Sequence, residues 1–263
     1  MPILRVAAVQ TSPVFGQIAA NLEQALALVP APCDLAVLPE LFATGYQFRD
    51  RSEAMELAED PRRGPVSEAL RAFAAERKTT MVAGLAERSG DRVYNSALLA
   101  RPDGSWELYR KLHLFWDEKT VFDPGDRGLP VFAACGTTVG VMICFDWIFP
   151  EAARTLARRG ATVLCHPSNL VLPHCPQSMP VRCVENRVFA ITANRVGHEN
   201  RTGTPLRFIG RSQVISPDAE RLAACGDEEE GAAAADIDTA ATGKDVTPRN
   251  HLWDDRRPEF YLA

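Results

Sequence analysis

The sequence has 263 residues, of which 46% are hydrophobic and 24% charged, with a formal net charge of −5. These values are typical of a globular protein and exclude a disordered or fibrous chain. The acidic balance and scattered basic residues argue against nucleic acid as a partner. No apolar run is long enough to span a bilayer, and the start MPILRVAAVQ lacks the features of a signal peptide. We therefore expect a cytoplasmic protein without a membrane partner.

The first half of the chain predicts a βαβ unit followed by an antiparallel meander. The apolar and helical periods predict a strand over residues 4–10, a helix over 17–29, a strand over 35–38, a helix over 66–77, and strands over 80–87 and 93–99. Turn residues separate the last two strands, which favours a hairpin. A long loop over residues 112–129 follows.

The second half again interleaves strands with helices. Strands are predicted over 131–134, 139–144, 162–166, 189–194, 211–215, 221–224 and 232–237, and helices over 151–159 and 178–187. This pattern favours an α/β protein with mixed sheets covered by helices. Because no linker or repeat interrupts the chain, we predict one domain over residues 1–263, with 245–263 as a C-terminal tail.

Cys144 is the best candidate nucleophile. It ends the apolar run VGVMIC just before FDWIFPEAARTLA, which predicts a strand-to-helix elbow. Backbone N–H groups at such a helix start favour a thiolate and a developing oxyanion. The alternative is a buried structural cysteine, since cysteine is often buried.

Two further polar residues follow predicted strands. Glu40 comes after the apolar run in DLAVLPELF, at a sheet edge of the kind where α/β proteins bind ligands. A carboxylate placed there can have a raised pKa, although an acid at a helix N-terminus is an equally simple interpretation. Lys111 follows the strand-like run WELYR and lies between apolar residues in YRKLHLF, where an ammonium is costly unless it is paired or used. Its alternative is a surface lysine with a buried stem.

These three motifs, in this order, resemble the carbon–nitrogen hydrolase (nitrilase) superfamily and its Glu-Lys-Cys triad. The resemblance extends along nearly the whole chain. It includes YNSA around Asn95, the FDPGD loop, ENRVFAITANRVG, the run at Phe208 and the closing RRPEFY. The chain is most similar to compact single-domain bacterial and archaeal nitrilase-like proteins.

The resemblance implies an α-β-β-α four-layer sandwich that pairs as a homodimer or larger homo-oligomer. It also implies a mechanism without a metal or organic cofactor. Glu40 acts as the general base, Cys144 forms a thioester, and Lys111 with the backbone N–H of Phe145 holds the oxyanion. The substrate is then a small amide, ω-amide or N-carbamoyl compound, with an aliphatic nitrile as the alternative.

The resemblance also implies supporting roles for other residues. Glu118 aligns with a second glutamate that the family places beside the lysine, and the alternative is an exposed loop acid. Residues expected to border the substrate pocket are Tyr46, Trp147, His166 and Asn169.

Two other function classes remain open. Cys165-His166, His174-Cys175 and Cys183 are soft metal ligands within a short span, although their spacing is unlike that of a zinc site. A non-catalytic binding protein on the same fold is also open, because fold does not fix function. The seven cysteines are an odd number without a Cys-x-x-Cys pair, which predicts reduced thiols.

Overall fold

In the computed structural model, which describes residues 3–261, strands and helices alternate along most of the chain. The α-helices of this part are α1 (Ile18–Ala27), α2 (Arg51–Leu57), α3 (Pro65–Arg77), α4 (Glu118–Val121), α5 (Pro150–Arg158) and α6 (His174–Asn186). The strands are β1 (Ile3–Gln10), β2 (Leu35–Leu38), β3 (Thr80–Ser89), β4 (Arg92–Ala100), β5 (Trp106–Arg110), β6 (Val131–Ala134), β7 (Thr137–Val141), β8 (Val163–Pro167), β9 (Phe189–Ala193), β10 (His198–Glu199), β11 (Leu206–Arg207), β12 (Gln213–Ile215), β13 (Arg221–Ala224), β14 (Gly231–Asp238), β15 (Asp245–Thr247) and β16 (Asn250–His251).

Two six-stranded mixed sheets form the centre of the described structure. Their strand orders are β14-β1-β2-β3-β4-β5 and β13-β12-β9-β8-β7-β6. In the first sheet β2 runs parallel to β1 and β3, and in the second β8 runs parallel to β7 and β9. The other pairings within both sheets are antiparallel. The prediction of mixed sheets is confirmed.

The alternation of side chains along the strands sets the order of the layers. In β1, Val6 and Ala8 join the core shared with the second sheet, whereas Ala7 and Val9 join the cluster that contains residues of α1 and α3. Apolar residues of α5 and α6 pack on the second sheet within the first of these cores. The layers are therefore helix, sheet, sheet, helix, and the four-layer sandwich is confirmed.

The helices differ from the prediction in three places. Helix α6 begins at His174, four residues before the predicted start, so its first turn contains the His174-Cys175 pair. The short helices α2 and α4 were not predicted, because each is too short to show a helical period. A 3-10 turn over Cys144–Ile148 separates β7 from α5 at the predicted elbow. No helix in residues 3–261 is both long and apolar enough to cross a bilayer.

The tail forms a small hairpin of β15 and β16 followed by a 3-10 turn over Pro258–Phe260. Trp253 in this tail lies under the guanidinium of Arg154, 5.2 Å from it, which joins the tail to α5. Residues 1, 2, 262 and 263 of the predicted domain lie outside the described residues.

Candidate active site

The carboxyl ends of four strands supply the candidate site. Glu40 follows β2 by two residues and Lys111 directly follows β5 in the first sheet, while Cys144 and Asn169 follow β7 and β8 in the second. The Asn169 Nδ2 donates to the backbone carbonyl of Glu40 at 2.8 Å, so the two sheets meet at this edge. Side chains distant in sequence converge because strands of both sheets end here.

Cys144 lies in a strained elbow. Its φ of 41° falls in the left-handed region, which a residue with a β-carbon adopts only when the surroundings enforce it. The Asp146 carboxylate accepts the backbone N–H of Ile143 at 2.8 Å and the hydroxyl of Tyr109 at 2.7 Å. These bonds tie the elbow to β5 and so fix the direction of the Cys144 side chain.

His166 is hydrogen-bonded to the backbone of the elbow. The ring is fully buried, and Nε2 lies 2.9 Å from the carbonyl oxygen of Cys144. Since a carbonyl oxygen only accepts, Nε2 carries the proton. Burial lowers the pKa of His166 to about 4. His166 does not line either cavity described below, so its predicted place on the pocket surface is corrected to a position beneath Cys144.

The Lys111 ammonium lies between two carboxylates. Nζ donates to Glu40 Oε1 at 2.7 Å and to Glu118 Oε1 and Oε2 at 2.8 and 2.7 Å. Asn95 Nδ2 and the Tyr46 hydroxyl donate to Glu40 and Glu118 respectively, each at 2.7 Å. All these side chains except Tyr46 are almost completely buried, so each charge is stabilised chiefly by its neighbours.

Burial and neighbouring charges have opposite effects on the pKa values of these groups. Burial alone would lower the pKa of Lys111, but the Glu118 and Glu40 carboxylates raise it above its ordinary value, so the ammonium stays charged. Burial raises the pKa of Glu118 to about 7, although Lys111 and the hydroxyl of Tyr46 stabilise its ionised form. A buried lysine paired with carboxylates is therefore a fixed positive charge beside the thiol.

The Cys144 thiol stays protonated at neutral pH. Burial and the nearby Glu40 carboxylate raise its pKa well above the ordinary value, while Lys111 and the backbone N–H of Asn169 oppose the shift. Such a thiol needs a base before it can attack. The Oε2 of Glu40 is buried and has no hydrogen-bond partner within residues 3–261, so it is free to accept a proton.

Two cavities have Phe115 in their walls. One is lined by Cys144, and its walls also include Phe145, Trp147 and Asn169. The other is lined by Tyr46 and Glu118. The structure therefore brings every predicted site residue except His166 to these cavities or to the Lys111 cluster. Phe115 and Asn95 were not predicted to have a role, because an aromatic or amide side chain near a strand has no distinctive sequence pattern.

The alternative zinc ligands do not come together. Cys165 and Cys183 are buried in the core, and His166 bonds the carbonyl of Cys144. Within residues 3–261 no three His, Cys, Asp or Glu side chains are grouped so that they could hold a metal ion.

The sequence is similar to those of known proteins. The family model described as carbon-nitrogen hydrolase matches residues 5–245. A protein named nitrilase from Pyrococcus abyssi is 44% identical over 265 residues, which cover 99% of this chain and 100% of that protein.

Solved structures agree with the family match. A carbon-nitrogen hydrolase from Helicobacter pylori G27 superposes with a TM-score of 0.90 and 27% identity, covering 98% of this chain and 97% of that one. An amidase variant from Nesterenkonia sp. AN1 gives a TM-score of 0.80 and 27% identity, covering 97% of each chain; it shows Michael addition of acrylamide at its active-site cysteine. The chain belongs to the carbon-nitrogen hydrolase family.

Proposed function

We propose that this enzyme hydrolyses the carbon–nitrogen bond of a small amide or N-carbamoyl compound through a thioester on Cys144. The observation that carries the proposal is the unpartnered Oε2 of Glu40 in a site with a buried, protonated thiol and a buried ammonium. A base, a nucleophile and a fixed positive charge are the groups that acyl transfer to sulfur needs.

In the first half-reaction, Glu40 takes the thiol proton while the Cys144 sulfur attacks the carbonyl carbon. The C=O electron pair moves onto oxygen, and the Lys111 ammonium and the backbone N–H of Phe145 stabilise the oxyanion. When this intermediate collapses, the carbon–nitrogen bond breaks and Glu40 gives its proton to the leaving amine. The acyl group remains on sulfur as a thioester.

In the second half-reaction, Glu40 takes a proton from water, whose oxygen attacks the thioester. Collapse of the second intermediate releases the acid and returns the proton to sulfur. Glu118 does not exchange protons in this scheme; its two contacts with Nζ orient Lys111. One base thus serves both steps.

The cavity walls favour an uncharged, apolar acyl group. The cavity at Cys144 is lined mainly by aromatic and aliphatic side chains, and neither cavity has a Lys or Arg among its described lining residues. A carboxylate on the substrate would lose its hydration there without gaining a lysine or arginine partner from these walls. We therefore place neutral amides ahead of ω-amides of dicarboxylic acids.

A nitrile is the second candidate substrate, since a relative with 44% identity is named nitrilase. The same sulfur attack would place the developing charge on nitrogen, near Lys111.

We also propose that two copies pair through α6 and the tail, as the family resemblance implies. Val181 and Val184 are three residues apart on α6 and about half exposed, and Phe260 in the tail is 73% exposed. Exposed apolar side chains mark an association surface where they form a contiguous patch. The seven free thiols fit the reducing cytoplasm, where we propose the enzyme acts.

Ammonia release from neutral amides, ω-amides, N-carbamoyl amines and aliphatic nitriles tests the proposal. We expect release from neutral amides, its loss in Cys144→Ala, and its retention in Cys225→Ala, which removes a half-buried thiol outside both cavities. Release that survives in Cys144→Ala would contradict the thioester mechanism. Equal rates for neutral and carboxylate-bearing amides would contradict the proposed substrate preference.

A further inference from the structure

Asn169 is placed next to both the base and the nucleophile. Its Nδ2 donates to the backbone carbonyl of Glu40 at 2.8 Å, and its backbone N–H acts to lower the pKa of the Cys144 thiol. The residue is 3% exposed and lines the cavity that contains Cys144. Asn169 therefore lies between the base and the nucleophile.

The contact with Glu40 fixes which way the carboxamide of Asn169 points. A backbone carbonyl only accepts, so the end facing it is the NH₂ group and the other end is Oδ1. This Oδ1 is buried and has no hydrogen-bond partner in the described part of the chain. A buried acceptor without a donor is unfavourable, which indicates that a donor arrives with the substrate.

The chemistry of the site identifies that donor. Glu40 has to protonate the leaving nitrogen, so this nitrogen lies on the Glu40 side of the sulfur. The bond from Nδ2 to the backbone carbonyl of Glu40 holds the carboxamide of Asn169 next to this residue. An amide or carbamoyl nitrogen carries hydrogens there, whereas a nitrile nitrogen and an ester oxygen carry none.

We propose that Asn169 Oδ1 accepts a hydrogen bond from the N–H of the scissile bond. Asn169 then determines specificity for amides and carbamoyl compounds over nitriles and esters. The inference rests on the proposed function and sharpens its substrate class.

Asn95 provides a matched control. Its Nδ2 donates to the carboxylate oxygen Oε1 of Glu40 at 2.7 Å, and its Oδ1 is also buried without a partner within residues 3–261. However, Asn95 does not line the cavity that contains Cys144. Replacing either asparagine removes a bond to Glu40, but only Asn169 is placed to contact the substrate.

The experiment compares a primary amide with the methyl ester of the same acid, for the parent enzyme, Asn169→Leu and Asn95→Leu. Both substrates form the same thioester, so deacylation is common to them and kcat/KM reports acylation. Loss of the Glu40 contact should lower kcat/KM for both substrates in both variants. In Asn169→Leu alone, the amide-to-ester ratio of kcat/KM should fall by about tenfold, the value of one hydrogen bond in a buried site.

An unchanged ratio in Asn169→Leu, with the amide hydrolysed by the parent enzyme, would overturn this inference and leave the proposed function standing. The same fall in Asn95→Leu would also overturn it, because the effect would then come through Glu40. Hydrolysis of neither substrate by the parent enzyme would overturn the proposed function and the inference together.

Discussion

A β-carbon on Gly84 would lie 2.4 Å from the Cα of Glu40 and 2.8 Å from the carbonyl oxygen of Pro39. Gly84 is on β3, beside the turn that follows β2, and its N–H donates to that carbonyl at 3.1 Å. Only glycine allows the two backbones to come this close. The position of the candidate base therefore depends on a residue in the neighbouring strand.

We expect Gly84→Ala to displace Glu40 and to lower kcat/KM for the amide at least about tenfold, because small misplacements of catalytic groups are costly. The free energy of unfolding should fall by about 1–3 kcal/mol through overpacking. Amide kinetics and urea unfolding measure these effects. Gly231→Ala, where an added β-carbon meets open space, is the control. Unchanged kinetics in Gly84→Ala would show that the turn can shift without moving the carboxylate.

Tyr46→Phe should move the acidic limb of the pH–rate profile to higher pH. The pKa of Glu118 is raised to about 7 by burial, and the Tyr46 hydroxyl is one of the groups that holds it down. Glu118 is ionised above this pKa and then pairs with Lys111, so activity should fall as the pH drops through about 7. Without the hydroxyl we expect the limb to rise by about one pH unit, equivalent to one hydrogen bond.

Tyr94→Phe is the matched control for this measurement. The Tyr94 hydroxyl lies 3.4 Å from Asp126 Oδ2, and Tyr94 does not line either cavity. The pH–rate profile of Tyr94→Phe should keep its acidic limb at the same pH as that of the parent enzyme. If the limb stays in place in Tyr46→Phe as well, Glu118 is not the group that sets it.

Much of this structure could be predicted from the sequence, and the limits have physical causes. Apolar runs such as residues 35–38 predicted the strands, because a strand buried on both faces has a strong signature. The four-layer stacking came from the family resemblance, since periodicity does not say which faces meet. The place of His166 was wrong because a histidine near the end of a buried strand has the same sequence pattern whether it faces the cavity or the core.

The acid stability of the protein should depend on His166. Its pKa is lowered to about 4 in the folded state by burial, against an ordinary value of about 6.5. Between these values the unfolded chain binds a proton that the folded chain does not, so this histidine makes stability fall as the pH falls from about 6.5 to 4. The full effect is about 3 kcal/mol.

His166→Gln keeps a donor for the Cys144 carbonyl but does not titrate. We expect its free energy of unfolding to be lower than that of the parent at pH 7, with a difference that narrows by up to about 3 kcal/mol toward pH 4. Urea unfolding at a series of pH values measures this. Curves that stay parallel over the whole range would mean that the imidazole does not titrate between the folded and unfolded states as stated.

The Asp146 carboxylate stabilises the elbow that holds Cys144. Besides Ile143 and Tyr109, the Asp146 carboxylate accepts the backbone N–H of His113 at 3.2 Å and lies 2.7 Å from its Nδ1. Asp146→Ala removes all these bonds in a fully buried place and should lower the free energy of unfolding by about 3–5 kcal/mol. Tyr109→Phe removes one bond and should cost about 1 kcal/mol.

The same two variants should change the reactivity of the thiol in the same order. We expect Cys144 to lose its left-handed φ when Asp146 no longer binds the N–H of Ile143, so its alkylation by iodoacetamide should change strongly in Asp146→Ala and slightly in Tyr109→Phe. Peptide mass spectrometry follows the rate at Cys144, with Cys225 as the internal reference. If Asp146→Ala unfolds as predicted while the Cys144 rate stays at the parent value, the elbow holds its shape without the carboxylate. The hydrogen bonds of Asp146 would then stabilise the fold without positioning the thiol.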